Sequence, residues 1–169
     1  AVWCAPPVSV SHTRLTDDAE RQKLGEIIRD WAAPWLASDT LVHIDEPEIA
    51  SETPRWLLRF RGEERDVIAV WLTWRQRTLH VETELMPAPD EHASEIFRYL
   101  LVKNAELYPL HVALGPEDGL YLVGRFPIAD ITPALLDEIT GAAVHYVDEL
   151  FPTVMGLGFP SLYRRRRRR

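Results

Sequence analysis

The chain has 169 residues, of which 46% are hydrophobic and 9% aromatic, enough apolar side chain for one packed domain, which excludes disorder of the whole. Its formal charge of −7 conceals an asymmetry: six of the 19 basic residues form the terminal run Arg164–Arg169, leaving 13 bases against 26 acids in the rest. A body that acidic repels phosphate backbones, so any affinity for polyanions must reside in the run itself.

Residues 1–15 contain the adjacent pair Pro6 and Pro7 and little periodicity, and read as an extended N-terminal arm. The single cysteine, Cys4, makes no internal disulfide and sits in no metal or redox spacing. The start also lacks a basic region followed by an apolar core, so it does not read as a secretory signal. No apolar run approaches the ~20 residues that cross a bilayer. Together these features set the expectation of a soluble, cytoplasmic protein, and the scarcity of lysine (Lys23 and Lys103) suggests a GC-rich genome.

A first helix is predicted from Thr16, where a capping hydroxyl and the acids Asp17 and Asp18 suit the positive end of a helix dipole. Leu24, Ile27, Ile28, Trp31 and Trp35 recur on one stripe, and Pro34 is expected to kink or end the helix near Ala33. Four strands follow near 41–46, 55–61, 66–75 and 78–86, bounded by Pro47, Pro54, Gly62 and Arg75-Gln76-Arg77. The third, Val67 to Trp74, is apolar on both faces, the pattern of a strand covered twice, by its own helices or by a second copy of the chain.

From Asp90 the period turns helical, with Ala93, Ile96, Phe97, Leu100, Leu101 and Tyr108 on one side of a helix expected to stop before Pro109. A hairpin is predicted from Leu110–Leu114 and Leu120–Ile128, joined by Gly115-Pro116-Glu117-Asp118-Gly119. Thr132 then caps a last helix with Pro133 at its first position and a wide apolar face of Leu135, Ile139, Ala142, Ala143, Tyr146, Val147, Leu150 and Phe151.

The stretch Phe97–Phe159 resembles the YbjN family. The residues that carry the likeness are Leu101-Val102-Lys103-Asn104-Ala105, the hairpin Val112–Val123, and Ala143-Val144-His145-Tyr146-Val147-Asp148-Glu149-Leu150-Phe151-Pro152. The resemblance spans residues 16–159 and implies a fold like that of type III secretion chaperones, which are small α/β dimers that hold an extended or partly unfolded client. It brings no catalytic residues, and the Arg run lies outside it. The expected organisation is therefore an arm over 1–15, one domain over 16–159 and a disordered Arg-rich tail over 160–169. The expected fold is α/β of the α+β type: an antiparallel sheet of five to six strands packed with three helices, in the order α-β-β-β-β-α-β-β-α.

Several residues invite a chemical reading. His80, Glu82 and Glu84 share one strand face, as do His43 and Asp45, but donors about 6–7 Å apart on a flat strand do not close a metal shell unaided, so a solvated polar face is expected. His111 and His145 sit in apolar patterns and read as hydrogen-bonded structural histidines. No Gly-rich phosphate loop, His-Glu-x-x-His, Gly-x-Ser-x-Gly or paired cysteine is present, so neither enzyme activity nor a cofactor is expected.

Trp31 and Trp35 on the first helix and Trp56, Trp71 and Trp74 on strands supply the core, with a surplus expected at an interface. Trp71, Trp74, Phe97 and Leu101 are the candidate interface residues. The function expected is a non-enzymatic protein-binding module, chaperone-like or regulatory, gripping a client segment in an apolar groove of a homodimer. The alternative is a regulator that associates with nucleic acid or anionic membrane through Arg164, Arg165, Arg166, Arg167, Arg168 and Arg169.

Overall fold

The computed structural model describes residues 10–48 and 51–166. Helix α1 (Val10–Ala37) leads into four strands, β1 (Leu41–Asp45), β2 (Arg55–Arg61), β3 (Val67–Arg75) and β4 (Thr78–Met86), each antiparallel to the last. Helix α2 (Ala93–Lys103), the hairpin of β5 (His111–Leu114) and β6 (Leu120–Pro127), helix α3 (Pro133–Gly158) and a short α4 (Pro160–Arg166) complete the chain. The six strands form one sheet in the order β1-β2-β3-β4-β6-β5.

The α+β class, the antiparallel sheet and the strand–helix order match the expectation from sequence, and four strand boundaries fall within a residue or so of it. Thr132 caps α3 as expected, its side-chain oxygen accepting from the Leu135 N–H at 3.2 Å.

The helical boundaries differ in four places. The N-terminal helix starts at Val10, six residues before Thr16, so the expected arm is helical over residues 10–15, and residues 1–9 lie outside those described. It also runs through Pro34 to Ala37. A proline inside a helix lacks its backbone donor and crowds the carbonyl four residues back, but burial of Trp31 and Ala32 on the core side holds the last turns down. The middle helix stops at Lys103, so Tyr108 lies beyond it rather than on its apolar stripe. The tail is helical through Arg166, continuing from Pro160, while Arg167, Arg168 and Arg169 lie outside the described residues.

Alternation along the strands assigns two faces to the sheet. One carries Leu41, Trp56, Leu58, Phe60, Ile68, Val70, Leu72, Trp74, Leu79, Val81, Leu85 and Leu122, all buried against the helices together with Leu24, Ile28 and Trp31 of α1, Ile96 and Leu100 of α2, and Leu136, Ile139, Ala143, Val147 and Leu150 of α3. A bulge in β4 near Leu85 breaks the alternation, which is why both Leu85 and Met86 turn inward. Two side chains tie the layers together. Asp137 on α3 accepts from the indole N–H groups of Trp31 (2.6 Å) and Trp35 (3.1 Å). Asp148, also on α3, accepts from the backbone N–H of Glu63 and Glu64, both at 2.9 Å, and fastens the β2–β3 turn.

The two-faced β3 is therefore covered once. Among the described residues no helix lies over the second face of the sheet, which carries Val67, Ala69, Trp71 and Thr73 along its middle strand.

Candidate functional site

The open face is built row by row by the register. Arg59, Ala69, Glu84 and Tyr121 stand side by side on β2, β3, β4 and β6; the next row is Leu57, Trp71, Glu82 and Val123; the next is Arg55, Thr73, His80 and Arg125. The centre is apolar and aromatic, β2 contributes Arg55, Arg59 and Arg61 on either side of Leu57, and β4 contributes Thr78, His80, Glu82 and Glu84. The guanidinium carbon of Arg55 lies 3.8 Å from the centroid of the Trp71 ring, close enough for a cation–π stack, and its Nη2 reaches Glu82 at 3.9 Å. Arg59 pairs with Asp45 at 2.7 Å, and Asp45 also bonds His43 at 2.8 Å. The His43 hydrogen bond, then the Arg59 bond, hold the Asp45 carboxyl below its ordinary pKa.

Between Trp71 and Tyr121 the face dips into a hollow of about 260 Å³, lined by Arg55, Arg65, Glu82 and Glu84. Its outer wall is the β5–β6 turn, which curls over Tyr121. A Cβ on Gly115 would come 2.4 Å from that ring, so a side chain there would force the turn off the face. Arg65 closes the lower end, donating to the Glu84 carbonyl oxygen at 2.6 Å beside the β4 bulge.

His80 is the titrating group at the middle of this surface. Partial burial, then the charges of Arg125 and Arg75, lower its pKa, with Glu82 pulling the other way. Among the described residues no group of three His, Cys, Asp or Glu side chains is arranged to hold a metal ion. No described helix is long and apolar enough to cross a membrane.

The four interface candidates separate. Trp71 lies half-exposed on the open face. Trp74 points into the core at 3% exposure, with Arg21 of α1 above its ring, because residues 71 and 74 are an odd number apart and so face opposite ways. Phe97 is half-buried against the core, while Leu101 is 70% exposed on the helical layer. Its neighbour Val102 is 63% exposed and Tyr108, just past the helix, 73%.

The two histidines read as structural are at the surface instead. His111 is exposed on an edge strand and His145 lies 3.6 Å from Glu149 on the outer side of α3. Apolar neighbours in sequence do not bury a residue whose own place in the period is the outward one. The features that sequence reasoning did not single out are Asp137, Asp148, Asn104 and Tyr121. Asp137 and Asp148 matter through partners remote in sequence, which no local spacing reveals, while Asn104 and Tyr121 act across the short β5–β6 region, on Val112 and beneath Gly115.

A second cleft, about 1,050 Å³, separates α1 from the β1–β2 connection, with Trp56 at its floor and Asp17, Asp18, Glu26, Glu48 and Glu52 among its walls. Arg29 crosses to Glu46 at 2.6 Å, which lowers the Glu46 pKa.

The chain is a two-layer α+β domain whose helices pack on one face of a six-stranded antiparallel sheet. The chain belongs to the YbjN family, described as "Putative bacterial sensory transduction regulator", whose model matches residues 35–155. It is similar to "Uncharacterized protein ML2442" of Mycobacterium leprae, 29% identical over 140 residues that cover 78% of this chain and 76% of the relative. It is also similar to "Uncharacterized protein Rv0487" of Mycobacterium tuberculosis and "Uncharacterized protein Mb0497" of Mycobacterium bovis, each 26% identical over 130 residues covering 77% of this chain and 71% of the relative.

Proposed function

We propose that this chain is a non-enzymatic regulator that works by binding another polypeptide, in the manner of a chaperone, through the helical layer. The observation that carries the reading is the exposure of Leu101, Val102 and Tyr108, large apolar side chains left bare at the end of α2 where Ile96 and Leu100 have already supplied the core. Apolar side chains grouped at a helix end offer a client segment burial at little ordering cost, because the helix is already fixed by its inward face. Lys103, held between Glu149 at 3.1 Å and Glu106 at 3.4 Å, gives this end a charged border that disfavours mismatched partners. The test is affinity capture with wild type and with L101D/V102D, whose substitutions lie outside the core. A discrete polypeptide retained by the first and lost by the second supports the reading. Equal capture by both refutes it.

A second reading rests on the run Arg164–Arg169, six adjacent cations on an acidic chain. Such a run binds polyanions with steep salt dependence. A version ending at Tyr163 then loses retention by anionic vesicles or nucleic acid, while a client held by α2 remains bound.

A further inference from the structure

We propose that the hollow between Trp71 and Tyr121 binds a small zwitterion, a free α-amino acid with an uncharged side chain. Its volume of about 260 Å³ has room for about nine waters at ~30 Å³ each, the scale of an amino acid rather than of a polypeptide segment. The charges of the wall select the class of guest. Arg55 and Arg65 stand against Glu82 and Glu84, so the signs cancel. A simple anion would suit the arginines and be repelled by the glutamates, and a simple cation would meet the reverse. An apolar guest would strip water from all four groups and return nothing. A molecule that brings one carboxylate and one ammonium answers both signs at once.

The wall charges also leave one another's hydrogen-bonding capacity unused. Arg55 Nη2 lies 3.9 Å from Glu82 and Arg65 Nη2 lies 3.8 Å from Glu84, near enough for attraction and too far for a hydrogen bond. Other contacts nevertheless fix both guanidinium groups. Arg55 stacks on the Trp71 ring at 3.8 Å, and Arg65 donates to the Glu84 carbonyl oxygen at 2.6 Å. A guanidinium has five N–H donors; the stack consumes none of them and the carbonyl bond consumes one. Two cations are therefore held in position with donors free for a carboxylate, which leaves little ordering cost to binding.

The acids supply the other half. Glu82 and Glu84 are alternate residues on one strand face, about 6–7 Å apart. That span fits two N–H···O bonds of about 2.9 Å meeting at a single ammonium. Between the charged groups lie the Ala69 methyl, small enough to leave the hollow its depth, and the rings of Trp71 and Tyr121, which suit an uncharged side chain. A peptide terminus carries only one of the two charges, so the arrangement matches the free amino acid and not the end of a polypeptide. The hollow is on the opposite side of the sheet from α2, so the proposal stands or falls separately from the client-binding reading.

The test is isothermal titration calorimetry of the full chain against the L-amino acids with uncharged side chains at millimolar concentration. The tightest binder is then compared with its N-acetylated form, which lacks the ammonium, and its amide, which lacks the carboxylate. Each capped form should bind about 10–100-fold more weakly, the worth of a charge-assisted hydrogen bond. Arg55→Gln and Glu82→Gln should each weaken the free amino acid by a similar factor. In Arg55→Gln the amide should then bind as well as the free acid, and in Glu82→Gln the N-acetylated form should bind as well as the free amine. Ala69→Leu fills the hollow and should abolish binding, with circular dichroism reporting the fold of each variant. The capped probes act on the unaltered chain, which keeps the test open if a substitution unfolds it. No heat from any of these amino acids, capped forms that bind as tightly as the free one, or binding indifferent to all three substitutions each overturn the proposal.

Discussion

Asn104 pairs with both backbone groups of Val112: its Nδ2 donates to the Val112 carbonyl at 3.0 Å and its Oδ1 accepts from the Val112 N–H at 2.7 Å. One amide side chain at the end of α2 therefore does for β5 what a further strand would do, closing part of an edge that is otherwise open to pairing with another chain. Asn104→Leu removes both bonds at once and leaves two half-buried backbone groups without protein partners. Chemical denaturation should show a loss of about 1–3 kcal/mol, and hydrogen exchange should show the Val112 amide losing protection first. An amide that exchanges no faster than in wild type refutes the edge-closing role.

The β2–β3 turn depends on Asp148 and on the absence of a side chain at residue 62. A Cβ on Gly62 would lie 2.3 Å from the Arg65 carbonyl oxygen and 2.7 Å from the Ile68 side chain, and the first of these neighbours is backbone that moves only with the turn. Gly62→Ala should therefore cost about 1–3 kcal/mol by denaturant titration. Asp148→Ala strands the two N–H groups it binds and should cost a similar amount. Additive losses in the double variant count against this account, because both substitutions release the same turn.

Asp137 holds Trp31 and Trp35 together, and of these two only Trp31 is buried. Asp137→Ala leaves the Trp31 indole N–H unsatisfied at the α1–α3 contact. A destabilisation of about 1–3 kcal/mol is expected, accompanied by a change in near-ultraviolet circular dichroism. Asp137→Asn keeps one acceptor oxygen and should fall between wild type and the alanine variant.

His80 sets a pH dependence with a defined sign. Its pKa in the folded chain is lowered from 6.5, by partial burial first and then by Arg125 and Arg75. Between the folded value and 6.5 the unfolded chain holds more protons, so stability rises with pH across that window. The contribution is complete above 6.5 and is lost as pH falls through the folded value. His80→Gln should flatten the melting temperature against pH just below 6.5, and superimposable profiles for the two proteins exclude the effect.

The order of elements was legible because hydrophobic period changes sharply at Pro47, Pro54 and Gly62, and again where β4 gives way to α2. Helix limits were less so. Pro34 was weighed for the donor it lacks, but burial of Trp31 and Ala32 outweighs one missing bond. Trp71 was legible as a surface residue only as one of a pair with Trp74; the sidedness that separates them becomes firm once the helices are known to occupy a single face. Leu101 was expected on the same helix side as Ile96 and Leu100, but it is 70% exposed while those two are buried, because it stands one position past Leu100 on the helix and so turns away from the inward side. Asp148 and Asp137 look like ordinary surface acids of a helix until the elements they bridge are brought together.

The strand Val67–Arg75 encodes two traits in alternate letters. Changes at Ile68, Val70, Leu72 or Trp74 strike the buried side and lower the amount of folded protein in the cell, whereas changes at Ala69 or Trp71 leave folding nearly intact and alter what the molecule touches. A mutational scan along these nine positions should therefore sort Ile68, Val70, Leu72, Trp74 and the buried Thr73 by their effect on abundance, and Ala69 and Trp71 by their effect on contact, which gives a genetic handle on surface recognition free of the confusion that a misfolded variant brings.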